Sequence, residues 1–163
     1  MENLIERPNV KKVNSFIEKY KSSLSVITLK ETAKTAKDAA KSLNCEVGAI
    51  VKSLVIKLDN TFLLCLVAGD KKCCFKLIKL ISNKEKISMA NPEEVKIQTG
   101  FSIGGVSPVA HKNKLPIFID KSLNRFEFLY AAAGHPNCIF KVNYSDLLNM
   151  TQEKMIQAFG RIG

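Results

Sequence analysis

The sequence lacks any long apolar run. Its apolar segments, such as residues 62–69, are far shorter than the roughly 20 residues that cross a bilayer as a helix. The first eight residues likewise contain no apolar segment of the kind that a secretory signal needs. We therefore expect a soluble, cytoplasmic protein without a membrane partner.

Cysteine and histidine, the usual ligands of zinc, are few and scattered. The five cysteines lie mostly in apolar runs and their number is odd, which favours reduced core thiols over a disulfide framework. His135 and Cys138 form a lone H-x-x-C, and His111 stands in a lysine-rich stretch, so no tetrahedral ligand set is complete. We expect neither a metal nor a cofactor. Cys138 paired with His135 as a thiol nucleophile is an alternative, although a cysteine that opens an apolar run is more often packed in the core.

No low-complexity segment or linker rich in proline or serine divides the chain. Its 163 residues fit one domain, and a hydrophobic content of 46% is enough for a core. The sequence therefore predicts a single domain over residues 1–163, in which residues 1–23 form an N-terminal helical segment.

Positive charge is in excess. Lysine and arginine number 25 against 15 aspartates and glutamates, and the resulting net charge of +10 suits a polyanionic partner. The alternative is that the scattered lysines only solvate helix faces. No RNP-type aromatic motif, zinc finger or basic DNA-reading helix accompanies the charge, so a DNA partner is not expected and charge alone leaves an RNA partner open.

Hydrophobic periodicity and turn residues predict an α/β fold. A β-hairpin with its turn at Asp59-Asn60 is the strongest local signal, and Asn91-Pro92 is a strong helix start. Thr35 and Asp38 are spaced like a helix cap and its partner, whereas residues 69–72 are expected to break a strand. The predicted helices are 8–21, 33–43, 75–81 and 92–99, with short ones opening at Ser145 and Thr151, and the predicted strands are 24–29, 50–58, 61–68, 116–119, 126–133 and 138–142. This order gives a mixed, curved or barrel-like β-sheet surrounded by helices.

A glycine-rich stretch, residues 100–108, follows the predicted helix at 92–99. Its three glycines and terminal proline let the backbone come close to a ligand and offer N–H groups as a binding surface. A second small-residue run, residues 131–137, ends in a turn that carries His135. The two loops could face one pocket; the alternative is that both are tight turns at sheet corners. Ser107 is a more credible loop hydrogen-bonding group than a nucleophile.

Lys52 interrupts an apolar strand, where it shares a face with Ile50, Leu54 and Ile56. Taking an ammonium group out of water costs several kcal/mol unless an anion meets it. Either an anionic ligand docks there, or the lysine reaches solvent at the sheet edge. Ser53 points to the opposite face of a regular strand, which argues against its participation in the same site as Lys52.

Five short motifs follow one another along the chain. They are Thr35-Ala-Lys-Asp-Ala-Ala, Ile50-Val-Lys-Ser-Leu-Val, Val67-Ala-Gly-Asp-Lys-Lys, Thr99-Gly-Phe-Ser-Ile-Gly-Gly-Val-Ser-Pro and Ala133-Gly-His-Pro. Together they resemble the YbaK and prolyl-tRNA synthetase-associated editing family of aminoacyl-tRNA deacylases. Each motif alone is weak, but the five stand in the family's order, and the resemblance covers residues 24–150.

The resemblance implies a trans-acting enzyme that hydrolyses the ester between a wrong, small amino acid and the 3′ end of a tRNA, with a synthetase as a further partner. The amino acids in question are alanine, serine, threonine and cysteine. The resemblance assigns catalysis to Lys52, Gly104 and Gly105, and substrate binding to Ser53, Val106, Ser107, Pro108, Gly134 and His135. Cys73-Cys74 stands where the family often has an acidic residue. The alternatives are a tRNA-binding module of the same fold without turnover and a regulator that binds a small ligand.

Overall fold

A computed structural model describes residues 3–31, 33–151, 154–157 and 159–162. The helices are α1 (Pro8–Tyr20), α2 (Ala36–Leu43), α3 (Phe75–Ser82), α4 (Pro92–Thr99) and α5 (Tyr144–Met150), with single 3-10 turns at Leu4–Glu6, Val47–Ala49 and Lys121–Arg125. The strands are β1 (Val26–Thr28), β2 (Ile50–Leu58), β3 (Thr61–Ala68), β4 (Lys71–Cys73), β5 (Ile87–Met89), β6 (Ile117–Asp120), β7 (Leu129–His135), β8 (Cys138–Val142), β9 (Lys154–Gln157) and β10 (Gly160–Ile162).

The main sheet is mixed, as the sequence predicts. Its strand order is β1-β8-β7-β2-β3-β6-β9, and β5 adds to β2 beyond the end of the β7 pairing. The β2–β7, β3–β6 and β6–β9 pairs are parallel and the remaining pairs of this sheet are antiparallel. β4 and β10 form a separate two-stranded ribbon. The central strand β2 thus pairs with β3 along one side and, over shorter stretches, with β7 and then β5 along the other.

Strand β2 buries both of its faces, which explains its nearly continuous apolar sequence. Val51 and Val55 belong to the main core, to which α1 contributes Val10, Val13 and Ile17. Ile56 and Leu58 belong to a second cluster on the opposite face, which also holds Ile78 of α3. Because side chains alternate along a strand, Ser53 lies on the face of Val51 and Val55, and Lys52 on the face of Ile56.

The local signals of the sequence are confirmed where they are strongest. The β2–β3 hairpin has the predicted bounds, and Asp59 takes a left-handed φ of 52° in its turn. Helix α4 begins behind a capping box of Asn91 and Glu94 and ends at Gly100, whose φ is 84°. Thr35 caps α2 by accepting from Asp38 N at 3.1 Å. In the described part of the chain, no helix has the length and apolar character needed to cross a membrane.

Four short strands were missed. Strand β3 ends at Ala68, as the break expected at residues 69–72 requires, but Lys71 and Lys72 then belong to β4, which pairs with β10. No helix opens at Thr151: that residue ends α5, and β9 follows after residues 152 and 153, which lie outside the described chain. Helix α5 begins behind Asn143 rather than at Ser145. Strands β4, β5 and β10 have only three residues each, so pairing with distant partners, and not local propensity, determines them.

Candidate active site

A cavity of about 390 Å³ lies beside β2, between the start of α2, strand β7 and the glycine-rich loop. Its wall is largely aliphatic, and no Asp or Glu is among its described lining residues. A volume of this size is within the range of small-ligand pockets. The lining residues are Ala33, Lys34, Thr35, Ala36, Ala39, Ile50–Val55, Met89, Ala90, Val95, Ile103, Gly104, Val106, Tyr130, Ala132, Pro136 and Ile139.

The floor of the cavity is a gap in the pairing of β2. Strand β7 pairs with β2 only as far as Val51, and β5 begins to pair at Ile56. At the open end of the β2–β3 hairpin, Gly69 N donates to Ile50 O at 2.8 Å. Because main-chain hydrogen bonds between two antiparallel strands recur at every second residue, Ile50 and every second residue after it in β2 bond to β3. The intervening Ser53 therefore directs its main-chain N–H and C=O away from β3, into the gap. The main chain of Ser53 is therefore an open strand edge, to which a ligand can hydrogen-bond.

The Ser53 side chain is also without a partner. Its Oγ is buried and makes no hydrogen bond among the described residues. Buried hydroxyl groups are nearly always hydrogen-bonded in native proteins, so an exception beside a cavity indicates a ligand-binding position. The structure thus brings Ser53 into the cavity from a strand face that the sequence alone made unpromising.

Lys52 lies at the same point of β2 and is half-buried. Its ammonium group donates to Lys71 O on β4. Burial lowers the pKa of Lys52, and the charge of Asp70 opposes that shift only in part. Asp70 itself is held by both terminal nitrogens of Arg125, at 2.9 and 2.7 Å, and these bonds lower the pKa of Asp70. Lys52 therefore has a neutral carbonyl as its hydrogen-bond partner, and its charge remains available for an anion.

The two small-residue loops, which the sequence suggested could face one pocket, contact each other directly. Gly134 N donates to Gly105 O at 3.0 Å, and a Cβ at Gly105 would lie 2.9 Å from His135 N. Gly105 is therefore packed against the second loop and does not line the cavity. Gly104, with a φ of 94°, and Val106 do line it. Gly134 has a φ of 91° and lies under α1, where a Cβ would approach Asn9 to 2.8 Å.

The end of the glycine-rich loop is held from behind by a histidine for which the sequence suggested no role. Ser107 is fully buried, and its Oγ accepts from Val109 N at 3.1 Å. His111 Nε2 donates to Ser107 O at 2.6 Å, and its ring meets Phe101 edge-on at 6.2 Å. Burial lowers the pKa of His111, so the neutral ring is favoured. Ser107 and the buried Pro108 thus support the loop and do not line the cavity.

His135 lies next to the cavity but not on its wall. Its Nδ1 accepts from Asn137 N at 3.0 Å, which fixes the turn, and the following Pro136 supplies the wall instead. Of the predicted site residues, the structure places Lys52, Ser53, Gly104 and Val106 at the cavity. It places Gly105, Ser107, Pro108, Gly134 and His135 behind it.

Sequence reasoning missed most of the wall and rim. Thr35, which caps α2, and Lys34 before it line the cavity, and Met89 and Ile103 stand at the mouth, where they are 49% and 58% exposed. Helical periodicity marks the alanines of α2 only as a packing face, so nothing local distinguishes a cavity wall from a core. Within the described residues, no three His, Cys, Asp or Glu side chains are grouped to hold a metal ion.

Comparisons with known proteins agree with this architecture. The crystal structure of a protein proposed as a trans-editing enzyme for prolyl-tRNA synthetase superposes with a TM-score of 0.88 at 33% identity, over 96% of this chain and 99% of that one. YwhH of Bacillus subtilis, which is uncharacterised, is 26% identical over 90% of this chain and 94% of its own. EbsC of Enterococcus faecalis, a proposed Cys-tRNA(Pro)/Cys-tRNA(Cys) deacylase, is 24% identical over 72% of each chain. A family model for the aminoacyl-tRNA editing domain matches residues 30–150, and the chain therefore belongs to the aminoacyl-tRNA editing domain family.

Proposed function

We propose that this protein is a stand-alone aminoacyl-tRNA deacylase that removes small, wrongly attached amino acids such as alanine, serine, threonine or cysteine from tRNA. The observation that carries the proposal is the gap in β2, where Ser53, whose Oγ has no hydrogen-bond partner among the described residues, and the neighbouring Lys52 both line a largely aliphatic cavity. Membership of the editing-domain family and the likeness to proposed trans-editing and deacylase proteins support it.

The main chain of Ser53 is complementary to an aminoacyl ester. An aminoacyl group carries an amine, which donates hydrogen bonds, and a carbonyl oxygen, which accepts them. Ser53 offers the opposite pair, a C=O and an N–H, along one open strand edge. In this arrangement the substrate adds to β2 in the manner of a short strand.

Lys52 and the mouth of the cavity suit the anionic acceptor end of a tRNA. Among the described residues, the Lys52 ammonium hydrogen-bonds to a carbonyl and not to a carboxylate, so a phosphate oxygen of the terminal nucleotide gives it a charge-assisted bond. Lys34 adds a second positive charge at the wall, next to the first turn of α2, whose N–H groups favour an anion. The net charge of +10 attracts the rest of the tRNA.

The chemistry requires only a positioned water and donors for the developing oxyanion. The water oxygen attacks the ester carbon, the bond from that carbon to the ribose oxygen breaks, and one water proton ends on the released hydroxyl of the tRNA. N–H groups of Ser53 and of the Gly104 turn are the candidate oxyanion donors. The substrate's neighbouring 2′-hydroxyl is the group proposed to orient the water, because neither histidine lines the described wall of the cavity.

Selection by size follows from the walls. Ala33, Ile103 and Pro136 contribute apolar surface to the cavity wall, and in the proposed function they limit the side chain that the site accepts to a short one. A hydrophobic pocket that lacks space for one methylene group discriminates by about 1–3 kcal/mol. The bulkier cognate prolyl group is expected to be rejected on this basis.

Turnover of mischarged tRNA tests the proposal. The purified protein, at catalytic concentration, is incubated with Ala-, Ser-, Thr-, Cys- and Pro-tRNA, and release of the amino acid is followed with and without prolyl-tRNA synthetase. Release from at least one small-residue tRNA, lost in a Lys52→Ala preparation, supports the proposal. Binding of tRNA without release by either preparation would instead identify a non-catalytic binding module.

A further inference from the structure

Two of the five cysteines lie in contact beside Lys52. The Sγ atoms of Cys65 on β3 and Cys73 on β4 are 3.8 Å apart, within hydrogen-bond distance for two thiols. The strands follow one another through the turn at Gly69 and Asp70. Cys65 is fully buried, whereas Cys73 is partly exposed. Both are free thiols in this structure.

The two thiols differ in the way that a disulfide-forming pair requires. The hydrogen bond with Cys65 lowers the pKa of Cys73, and the Lys52 ammonium acts in the same direction, while burial and the charge of Asp120 oppose both. Burial raises the pKa of Cys65, which therefore keeps its proton. Cys73 is the more nucleophilic and more accessible sulfur, and Cys65 is placed to resolve an oxidised Cys73.

The pair is joined to the candidate site through β4. Lys71, which accepts the hydrogen bond from Lys52, stands two residues before Cys73 on this three-residue strand. On the far side, Cys74 N donates to Phe159 O at 3.0 Å. A disulfide needs its sulfurs about 2.05 Å apart, so its formation draws Cys73 toward Cys65 within the strand whose Lys71 carbonyl holds Lys52.

We propose that Cys65 and Cys73 form a redox modification site that a hydroperoxide closes to a disulfide. The Cys73 thiolate attacks the hydroperoxide, whose O–O bond breaks; Cys73 becomes a sulfenic acid, and the departing oxygen leaves as water or an alcohol. The Cys65 sulfur then displaces the sulfenic hydroxyl, which leaves as a second water with the Cys65 proton. A low-molecular-weight thiol restores both groups by exchange. The consequence for Lys52 rests on the proposed deacylase function, whereas the disulfide itself does not.

The closing experiment measures the bond without relying on activity. The full-length protein is treated with hydrogen peroxide, its remaining thiols are alkylated, and its mass and peptide map are recorded. We expect three alkylated thiols and a Cys65–Cys73 linkage, reversed by dithiothreitol and absent from Cys73→Ser. Cys74→Ser is the matched control and retains the linkage. Five alkylated thiols after treatment, or a linkage between other cysteines, would overturn the proposal.

Activity on a mischarged tRNA then tests the connection to Lys52. Oxidation should lower kcat/KM by about tenfold, the scale of one lost charge-assisted contact, and dithiothreitol should restore it. Unchanged turnover by protein shown to carry the disulfide would refute this connection. Absence of turnover in the reduced protein would contradict the proposed function instead, and the mass measurement on the wild-type protein would still decide the disulfide.

Discussion

Replacement of Lys52 by alanine removes a cavity-lining lysine whose ammonium group is hydrogen-bonded to a neutral carbonyl. The side chain is half-buried on β2, and its bond to Lys71 O stabilises it in the absence of substrate. If a tRNA phosphate takes up this charge, the variant loses a charge-assisted hydrogen bond worth about 1.5–3 kcal/mol. Because each 1.4 kcal/mol is roughly a factor of ten, kcat/KM should fall by about 10- to 150-fold.

The loss should divide between KM and kcat in an informative way. A phosphate is remote from the reacting carbon, so a contact held equally in ground and transition states raises KM and leaves kcat nearly unchanged. A matching fall in kcat would mean that Lys52 acts on the reacting ester. Lys52→Met keeps the apolar stem and should behave like Lys52→Ala, which separates the charge from its packing.

The pH dependence follows from the lowered pKa of Lys52. The ammonium is lost at a lower pH than in an ordinary lysine, so kcat/KM should decline on the alkaline side before free lysines titrate. Lys52→Arg, which keeps its charge throughout, should abolish that decline. Because the folded state depresses this pKa, stability rises as pH increases from the folded toward the unfolded value. Neutralisation of Lys52 should therefore not lower the free energy of unfolding through its charge.

The assay is single-turnover and steady-state release of amino acid from mischarged tRNA, with circular dichroism to verify folding. Lys57→Ala is the matched control: it removes one positive charge from the same strand, where Lys57 pairs with Glu94 at 2.7 Å. Turnover by folded Lys52→Ala within about twofold of wild type, or an equal loss in Lys57→Ala, would refute the assignment, since about twofold is only 0.4 kcal/mol.

Gly105→Val should cost at least about tenfold in kcat/KM, because its Cβ would lie 2.9 Å from His135 N and overpacking costs about 1–3 kcal/mol; full activity in a folded variant would show that the loop contact is dispensable. His135→Ala should change the relative rates for Ala-, Ser- and Thr-tRNA by about 1–3 kcal/mol through Pro136, while a uniform collapse would indicate chemistry instead. Ile103→Ala should raise KM for mischarged tRNA whereas Ile97→Ala, equally exposed but away from the cavity lining, should not; equal effects would remove the rim from the site. Affinity for tRNA, measured by filter binding, should fall steeply as the salt concentration rises. An affinity that does not change with salt would contradict binding along the phosphate backbone of the tRNA.

The elements that sequence reasoning predicted are those with a complete local cause. The hairpin has β-type runs on both sides of a two-residue turn, and α4 has a proline, a capping box and a C-terminal glycine. Strand β4 follows a turn and carries two lysines, so its local propensity is poor. Its strand conformation depends on pairing with β10, nearly 90 residues later in the chain.

The candidate site could be predicted only as a set of motifs. Lys52 was identifiable because a charge interrupts an apolar strand, and the glycine loop because of its composition. Ser53 looked unpromising since alternation places it opposite Lys52, yet the gap between β7 and β5 opens the cavity to both residues. His111 was missed because its contact with Ser107 depends on how the loop folds back and not on a recognisable motif.

Both histidines form hydrogen bonds behind the loops and do not line the cavity. A hydrolytic site built on an imidazole must hold that ring within reach of the substrate, whereas here one ring bonds Ser107 O and the other accepts from Asn137 N. The polar groups that remain at the cavity are largely those of Ser53, the glycine turn and two lysines, and neither peptide nor hydroxyl groups titrate near neutrality. In the proposed reaction, proton transfer is then left to the water and the substrate's own hydroxyl. The protein would contribute geometry and charge, and we expect any change that moves β4 or separates the two loops to act on both.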